Sequence, residues 1–337
     1  MDYVVLGTSG LRVSRLVLGT ATFGIAPSAD AADRVIGAAL DAGINMVDTA
    51  NAYGNLAHFD REGMPPAALR KSAEEIIGAV LGPRRDSVLL STKASEVVGP
   101  GVNDWGLSRR HIVEQLERSL RRLRTDHVDL FYAHHPDPDT PLAETLYVLD
   151  DLVRAGKARS YALSTYPAWQ TMHALWLCDR RGLCTPTCLQ VRYNLVARQV
   201  EAEIVPLAAE FGLSLVAFSP IAGGLLTTAE ARQRPYAGET RWGGGAFTES
   251  QLAAATQLEE VAQRWGQPPA RLALAWLLRR PSVAAAVIGP ESAEQVAAST
   301  AAVALATELT SEQLAALDAI GAAGVVDPLP RPNPRRP

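Results

Sequence analysis

The feature that most constrains the fold is an alternation of short apolar segments with longer segments of helical period. The apolar segments are rich in Val, Ile and Leu, which is typical of strands buried on both faces. Each is followed by a loop and then by a helical segment. We place eight such strands at residues 16–18, 45–47, 88–91, 128–132, 158–163, 188–191, 214–218 and 285–288. Eight alternating strand and helix units in one chain predict a (β/α)8 barrel, an α/β fold.

Apolar stripes and capping residues mark the intervening helices. Ser108 is a candidate N-cap, and Pro268-Pro269 suits the first turn of another helix. Residues 3–13 alternate apolar and polar around a turn at residues 7–10, which predicts an N-terminal β-hairpin closing the bottom of the barrel. We expect helices near residues 31–42, 72–81, 142–153, 168–177, 200–211 and 249–265, two more that begin at Ser108 and Pro268, and extra helices at the C-terminal end.

A doubly wound open sheet is the alternative that alternation alone permits. It is disfavoured because no Gly-x-Gly-x-x-Gly motif follows the first strand. Barrels of 337 residues are commonly single domains. We therefore expect one domain over residues 1–326, followed by a Pro-rich tail at residues 327–337 that forms neither helix nor sheet and is mobile.

Charge and composition exclude several classes of protein. The chain has 32 Lys and Arg against 36 Asp and Glu, a net charge of −4, so no basic excess points to nucleic acid or an anionic membrane as partner. The sequence shows neither a signal peptide nor an apolar run long enough to span a bilayer, which favours a soluble, cytoplasmic protein. Three cysteines without CxxC spacing argue against a disulfide framework or a structural zinc site. The oligomeric state does not follow from the sequence.

Polar side chains stand where successive predicted strands end. Asp48 and Tyr53 follow the strand at 45–47, Lys93 follows the next, and His134 follows the one after that. The C-terminal ends of barrel strands are where this fold holds its active site. Taken singly, such residues at loop starts are usually solvated or capping groups, but four in this order indicate a catalytic site.

Longer motifs, one of which contains Asp48, are distributed over nearly the whole chain. The motifs are Leu18-Gly19-Thr20, Asn45-Met46-Val47-Asp48-Thr49-Ala50, Asp129-Leu130-Phe131, Leu152-Val153-Arg154-Ala155-Gly156-Lys157, Gln190-Val191-Arg192-Tyr193-Asn194-Leu195 and Phe218-Ser219-Pro220-Ile221-Ala222-Gly223-Gly224-Leu225-Leu226. Together they resemble the aldo-keto reductases, from residue 6 to about residue 317. The resemblance implies an oxidoreductase that uses NADPH or NADH to interconvert a small-molecule aldehyde or ketone with an alcohol. Several members act on sugars, including nucleotide-linked keto sugars.

The resemblance also implies how the four residues work. Hydride delivery to a carbonyl leaves an alkoxide, so the site must supply a proton. Tyr53 would donate it, provided that the neighbouring Lys93 ammonium lowers the pKa of the phenol from its usual value of about 10. Asp48 would hold Lys93 charged, and His134 would bond the substrate oxygen or assist the proton transfer. The choice of His134 over His135 rests on its spacing from Asp129.

Matching positions imply the cofactor and substrate contacts. Phe218 would stack on the nicotinamide ring while Ser164, Thr165 and Gln190 bond its carboxamide. Barrel core is the alternative interpretation of Phe218. The remaining implied cofactor residues are Ser219, Pro220, Ile221, Gly224 and Leu225 at the pyrophosphate, Gly289, Glu291, Ser292, Gln295 and Ser299 at the adenosine, and Gly19, Thr20 and Asp48. Phe23, Tyr53, Trp105 and His134 would contact the substrate.

The chain departs from the family pattern at three places. The usual Asn after the fifth strand's Ser is Thr165, which should weaken one amide contact. Thr-Gly-Lys after the cofactor loop appears as Thr-Thr-Ala at residues 227–229, which removes a cation. Glu291 stands where many relatives have an Arg that grips the 2′-phosphate of NADPH. We therefore expect NADH to be usable or preferred, unless Arg241 reaches the phosphate.

Three long loops follow strands and would lie over the catalytic end. They span residues 55–71, 96–107 and 226–247. The first contains His58, Phe59, Asp60, Arg61 and Met64, which would line a substrate pocket or lie in solvent. The third contains the glycine run 243–245, interpreted as a lid or a disordered spacer.

Two other functions compete with the oxidoreductase. The run His134-His135-Pro136-Asp137 suggests a metal-dependent hydrolase, but adjacent strand residues face opposite ways, so both imidazoles would not enter the barrel, and we expect no metal site. The second alternative is a regulatory subunit that keeps the reductase fold and cofactor but acts on a partner protein. The complete set of four catalytic residues argues against it.

Overall fold

The computed structural model describes residues 1–55, 60, 65–233 and 246–320. A short hairpin, β1 (Tyr3–Val5) and β2 (Arg12–Ser14), precedes a closed barrel of eight parallel strands. The barrel strands are β3 (Leu16–Gly19), β4 (Met46–Asp48), β5 (Leu89–Ala94), β6 (Val128–Ala133), β7 (Ala158–Ser164), β8 (Cys188–Arg192), β9 (Ser214–Phe218) and β10 (Val283–Ile288). Each strand pairs with the next in the chain, and β10 pairs with β3 to close the barrel. The predicted (β/α)8 fold and its N-terminal hairpin are confirmed.

Parts of four sequence-based expectations fall outside the described residues. They concern Arg241, the glycine run at 243–245, the tail at 327–337, and His58, Phe59, Arg61 and Met64 of the first long loop.

Helices follow the strands around the outside of the barrel. They are α1 (Ala29–Asp41), α2 (Ala73–Leu81), α3 (Arg109–Leu123), α4 (Leu142–Arg154), α5 (Ala168–Arg181), α6 (Ile204–Glu210), α7 (Ala229–Arg232), α8 (Glu249–Trp265), α9 (Pro269–Leu278), α10 (Ala293–Glu308) and α11 (Ser311–Ala319). Ser108 caps α3 as predicted, because its side chain accepts from His111 N. The predicted helix at 200–211 is too long: α6 begins only at Ile204, since Pro206 has no N–H to extend the helix backward. Within the described ranges, every helix is too short or too polar to cross a bilayer.

Alternating side chains on the strands build two apolar layers. On β6, Phe131 packs outward in the large cluster beneath the helices, whereas Leu130 and Tyr132 belong to the cluster inside the barrel. Val17 and Met46 join that inner cluster from neighbouring strands. Because successive side chains of a strand point to opposite faces, only every second residue at a strand end faces the lumen.

The hairpin docks against the N-terminal ends of the strands. Leu6 belongs to the inner cluster, and Gly7 N donates to Oγ of Ser214, the first residue of β9, at 2.7 Å. A Cβ added to Gly7 would lie 1.9 Å from the carbonyl oxygen of Thr187, just before β8. The bottom of the barrel is thereby closed, which leaves the C-terminal end for a site.

Replacing Gly7 by Ala should test this closure. Gly7 has φ of +52° and no room for a side chain, whereas Gly10, at φ of +72°, has open space around it. Both Ala variants should lose about 1 kcal/mol from left-handed strain, and Gly7→Ala should lose about 1–3 kcal/mol more from overpacking. Urea unfolding measures both. Equal losses in the two variants would contradict the docked hairpin.

Candidate active site

The four predicted catalytic residues meet at the C-terminal end of the barrel. Asp48 is the last residue of β4, Lys93 lies near the end of β5, and His134 directly follows β6. Tyr53 lies five residues beyond Asp48, in the turn after β4. Three adjacent strands therefore bring the four side chains together.

Asp48 and Lys93 form a buried ion pair. Lys93 is fully buried and Asp48 is 3% exposed, and Nζ lies 2.5 Å from Asp48 Oδ2. Nζ also donates to the carbonyl oxygen of Thr49 at 2.8 Å. The ammonium lies 5.0 Å from the centre of the Tyr53 ring and 5.5 Å from that of Tyr132. Burial lowers the pKa of Lys93, and Asp48 opposes that shift.

The second carboxylate oxygen of Asp48 is also satisfied. Ser91 Oγ donates to Oδ1 at 2.6 Å, and Gln190 Nε2 donates to it at 3.1 Å. Ser91 lies two residues before Lys93 on β5, so both face the lumen. The carboxylate is thus fixed by one cation and two neutral donors, as a buried charge requires.

Tyr53 and His134 lie in contact beside the ion pair. The phenol oxygen lies 3.4 Å from His134 Nε2, and the two rings meet edge to face at 77°. His134 Nδ1 is buried without a hydrogen-bond partner among the described residues. Burial holds the pKa of His134 well below 6.5, and electrostatic repulsion from His135 and Lys93 lowers it further. His134 is therefore a neutral imidazole at physiological pH, with a single ring proton to donate.

The pKa of Tyr53 moves in the direction opposite to that expected from the sequence. Removal of its hydroxyl from water raises the pKa well above 10, and the charges of Asp48 and Glu96 raise it further. Burial of the phenol outweighs the effect of the Lys93 ammonium, whose charge Asp48 neutralises. Tyr53 is consequently a protonated phenol across the physiological range.

The residues predicted at the nicotinamide end lie on the adjoining strands. Ser164 ends β7, Gln190 lies in β8, and Phe218 ends β9. Ser164 Oγ is buried without a hydrogen-bond partner in the part of the chain that the structure describes. Phe218 is half-buried, with the Arg192 guanidinium 5.8 Å from its ring centre.

The predicted pyrophosphate loop follows β9 with an irregular backbone. Ser219 and Ala222 have left-handed φ values of +53° and +50°, and Gly224 has φ of +99°. Asn194 Nδ2 donates to the carbonyl oxygen of Ser219 at 2.9 Å and ties the loop to the segment after β8. Pro220, Ile221 and Leu225 lie in the same loop, and Leu225 is fully buried in the outer core.

The residues predicted at the adenosine end cluster at the start of α10. Ser292 caps the helix, and Gln295 Oε1 accepts from Glu291 N at 2.8 Å. Ser299 Oγ donates to the carbonyl oxygen of Gln295 at 2.8 Å, and a Cβ on Gly289 would meet nothing within 4 Å. The segment is therefore ordered by its own hydrogen bonds.

Comparison with known proteins identifies the family. The model of the aldo/keto reductase family matches residues 15–322. The chain belongs to the aldo/keto reductases. Uncharacterized oxidoreductase YrpG of Bacillus subtilis (strain 168) is 36% identical over 303 residues, which cover 88% of this chain and 89% of that protein. The chain is accordingly an oxidoreductase, and its family uses NAD(P)H and acts on small-molecule carbonyl compounds.

Other relatives are named as subunits of a channel and not as oxidoreductases. A probable voltage-gated potassium channel subunit beta of Oryza sativa subsp. japonica is 34% identical over 333 residues, 95% of this chain and 96% of that protein. One from Arabidopsis thaliana is 34% identical over 309 residues, 88% of this chain and 89% of that protein.

The site also contains the pair His134 and His135, whose predicted orientation was wrong. The rings of His134 and His135 do not point to opposite faces: they stack at 4.6 Å and 13°, because both residues lie beyond the end of β6, where strand alternation no longer applies. Together with Glu96 they form a group of metal-ligand type. Two parallel stacked imidazoles cannot both direct a lone pair at one ion, and both nitrogens of His135 already face protein oxygens.

Three further residues predicted to contact ligand have structural roles. Phe23 was expected to contact substrate, but it is 1% exposed and packs in the outer core, so packing accounts for it. A Cβ on Gly19 would lie 2.6 Å from Val287 Cγ1, so this glycine allows β3 to approach β10. Thr20 Oγ1 donates to the carbonyl oxygen of Asp48 at 2.9 Å, whereas Trp105 is half-buried.

Sequence reasoning missed four residues of the site as functional groups. Ser91 and Arg192 had a usable signal, since each lies two residues from a predicted site residue on the same strand. Asn194 lay within a motif that supported the family resemblance, without a role. The sequence contains no signal for Glu96, because only the folded loop brings its carboxylate to His135.

Removing one partner of the ion pair should destabilise the protein. Lys93→Met leaves Asp48 buried without its cation and should cost about 3–5 kcal/mol in free energy of unfolding. The double variant Lys93→Met/Asp48→Asn removes both charges and should recover part of that loss. Denaturant unfolding of these two variants and of the single variant Asp48→Asn measures whether the losses add. Additive losses would mean that the two charges do not interact.

Proposed function

We propose that this protein reduces an aldehyde or ketone to the alcohol at the expense of NADPH or NADH, with Tyr53 as the proton donor. One observation carries the proposal. The buried Asp48–Lys93 pair lies beneath the Tyr53 ring while His134 meets the phenol oxygen from the side. Such an arrangement offers two hydrogen-bond donors to one oxygen atom of a substrate.

Tyr53 and His134 act on the carbonyl oxygen. The phenol O–H and the neutral imidazole N–H both bond it and stabilise the negative charge that develops as the carbonyl is reduced. The oxygen then takes the Tyr53 proton and becomes the hydroxyl of the product. The raised pKa of Tyr53 keeps that proton in place until the alkoxide, a stronger base, is formed.

Lys93 and Asp48 act after the proton has left. Tyr53 is then a phenolate in a buried site, and the Lys93 ammonium lies 5.0 Å from the centre of its ring. Asp48 keeps Lys93 in position through the 2.5 Å contact. Lys93 therefore stabilises the product state of the proton transfer without being consumed.

The residues present fit a nicotinamide dinucleotide. When bound, it supplies the hydride. Ser164 Oγ, a buried polar atom without a described partner, and the neighbouring Gln190 amide suit a carboxamide, and Phe218 offers an aromatic face. The loop at 219–225 and the start of α10 would hold the pyrophosphate and the adenosine.

The start of α10 also bears on the choice between NADPH and NADH. Glu291 precedes the helix, and Glu294 lies in its first turn. Hydrogen bonding from Ser292 lowers the pKa of Glu294, so this carboxyl is ionised. Glu291, at the position where many relatives have an Arg, and the nearby Glu294 both oppose a 2′-phosphate. We infer that NADH is usable or preferred, and NADPH binding a hundredfold tighter than NADH would overturn this.

Replacing Tyr53 by Phe should abolish turnover and leave nucleotide binding intact. The variant loses the phenol that is proposed as the proton donor, so carbonyl reduction should fall at least about a hundredfold, while the dissociation constant for the nucleotide stays within about twofold. Tyr147→Phe is the control, because Tyr147 is exposed on α4. Undiminished turnover by Tyr53→Phe would contradict the assignment.

Replacing Glu291 by Arg should shift the nucleotide preference toward NADPH. A guanidinium can bond a 2′-phosphate, so the ratio of NADH to NADPH dissociation constants should rise about tenfold or more. Glu308→Arg makes the same charge change at the far end of α10, about 25 Å away, and should leave the ratio unchanged. Equal shifts in both variants would indicate only a general charge effect. No shift in either would remove Glu291 from the cofactor site.

A second function is favoured by the relatives named as potassium channel subunits beta. In that alternative the reductase fold and its nucleotide serve to regulate a partner protein. Turnover of generic aldehydes separates the two. Rapid multiple turnover supports the enzyme, and nucleotide binding without turnover supports the regulatory subunit.

A further inference from the structure

Thr165 adopts a backbone conformation that its side chain disfavours. Its φ is +59°, in the left-handed region, where a β-branched residue is an outlier. Asn, the usual residue of the family here, tolerates that region far better. Something in this chain must therefore hold Thr165 in place.

Three groups surround the Thr165 hydroxyl. Oγ1 lies 2.8 Å from His135 Nδ1, 2.7 Å from the carbonyl oxygen of Ser164 and 3.2 Å from that of His134. The two carbonyl oxygens can only accept a hydrogen bond, and the hydroxyl has one proton. His135 alone among the three can either donate or accept. It therefore decides which way the hydroxyl proton points.

His135 is itself held from several sides. Its Nε2 lies 2.7 Å from Glu96 Oε1, its ring stacks on His134, and its backbone N donates to Ser95 Oγ at 3.1 Å. The imidazole cannot rotate without losing the Glu96 contact and the Thr165 contact together. Glu96, His135 and Thr165 thus form one connected chain of hydrogen bonds.

We propose that Glu96 and His135 position the Thr165 hydroxyl as the replacement for the family's Asn at the nicotinamide carboxamide. This inference rests on the proposed function, since it requires a nicotinamide nucleotide in the site. His135 fixes the hydroxyl so that a lone pair remains for the carboxamide N–H. His135 is a positioning residue: it acts through Thr165 and does not contact the ligand.

Two replacements of His135 separate its two contacts. The Asn amide occupies the place of Nδ1, so His135→Asn can still bond Thr165. The Gln amide reaches the place of Nε2, so His135→Gln keeps Glu96 and loses Thr165. Tryptophan-fluorescence titration should give His135→Asn a nucleotide dissociation constant within about twofold of wild type. His135→Gln should bind about three- to tenfold more weakly, the loss of one hydrogen bond.

Binding of a nucleotide analogue tests the hydrogen bond from the carboxamide to Thr165 directly. The acetylpyridine analogue of the same nucleotide has a methyl ketone in place of the amide and so has no N–H to donate. The weakening caused by His135→Gln should vanish with this analogue. In a Thr165→Asn background it should vanish with the natural nucleotide also, because the Asn amide makes its own bond.

The outcomes distinguish the failure of this inference from that of the proposed function. If the wild-type protein binds neither NADPH nor NADH, the proposed function fails and this inference with it. If it binds and the two His135 variants have equal affinities, Thr165 is not positioned by His135. Equal weakening with the natural nucleotide and its analogue, or a lowered melting temperature of unliganded His135→Gln alone, would assign His135 a purely structural role.

Discussion

The site depends on a carboxylate and an ammonium buried together at the top of an apolar barrel. Asp48 and Lys93 are almost inaccessible to water, and two such charges persist there only because each neutralises the other. Ser91 and Gln190 complete the shell around Asp48. The apolar layer below, capped by the hairpin at the opposite end, excludes water that would weaken the pair.

This pair sets the electrostatics of the groups above it. Its two charges largely cancel, so burial dominates the titration of Tyr53 and His134. Burial raises the pKa of Tyr53 and lowers that of His134. Both groups are therefore neutral hydrogen-bond donors at physiological pH, which suits donation to a carbonyl oxygen and to the alkoxide it becomes. The charge of Lys93 matters when the phenol has lost its proton.

The sequence predicted what periodicity and chain order determine. The eight strands, the hairpin and the convergence of Asp48, Tyr53, Lys93 and His134 follow from alternation and from the rule that barrel sites lie at strand ends. Groups beyond a strand end were not predictable in this way. His135 was assigned to the wrong face because alternation stops at Ala133, and Glu96 reaches it only through the fold of its loop. The direction of the Tyr53 pKa required burial, which local sequence does not give.

The pH dependence of kcat/KM, which reports groups of the free enzyme, tests the central claim most directly. Tyr53 should stay protonated and His134 neutral, so carbonyl reduction should be flat between about pH 6.5 and 9. Alcohol oxidation, which needs the phenolate, should rise across the same range. A reduction profile that falls with a midpoint near pH 7 to 8, roughly where a lowered tyrosine pKa would place it, would contradict the account.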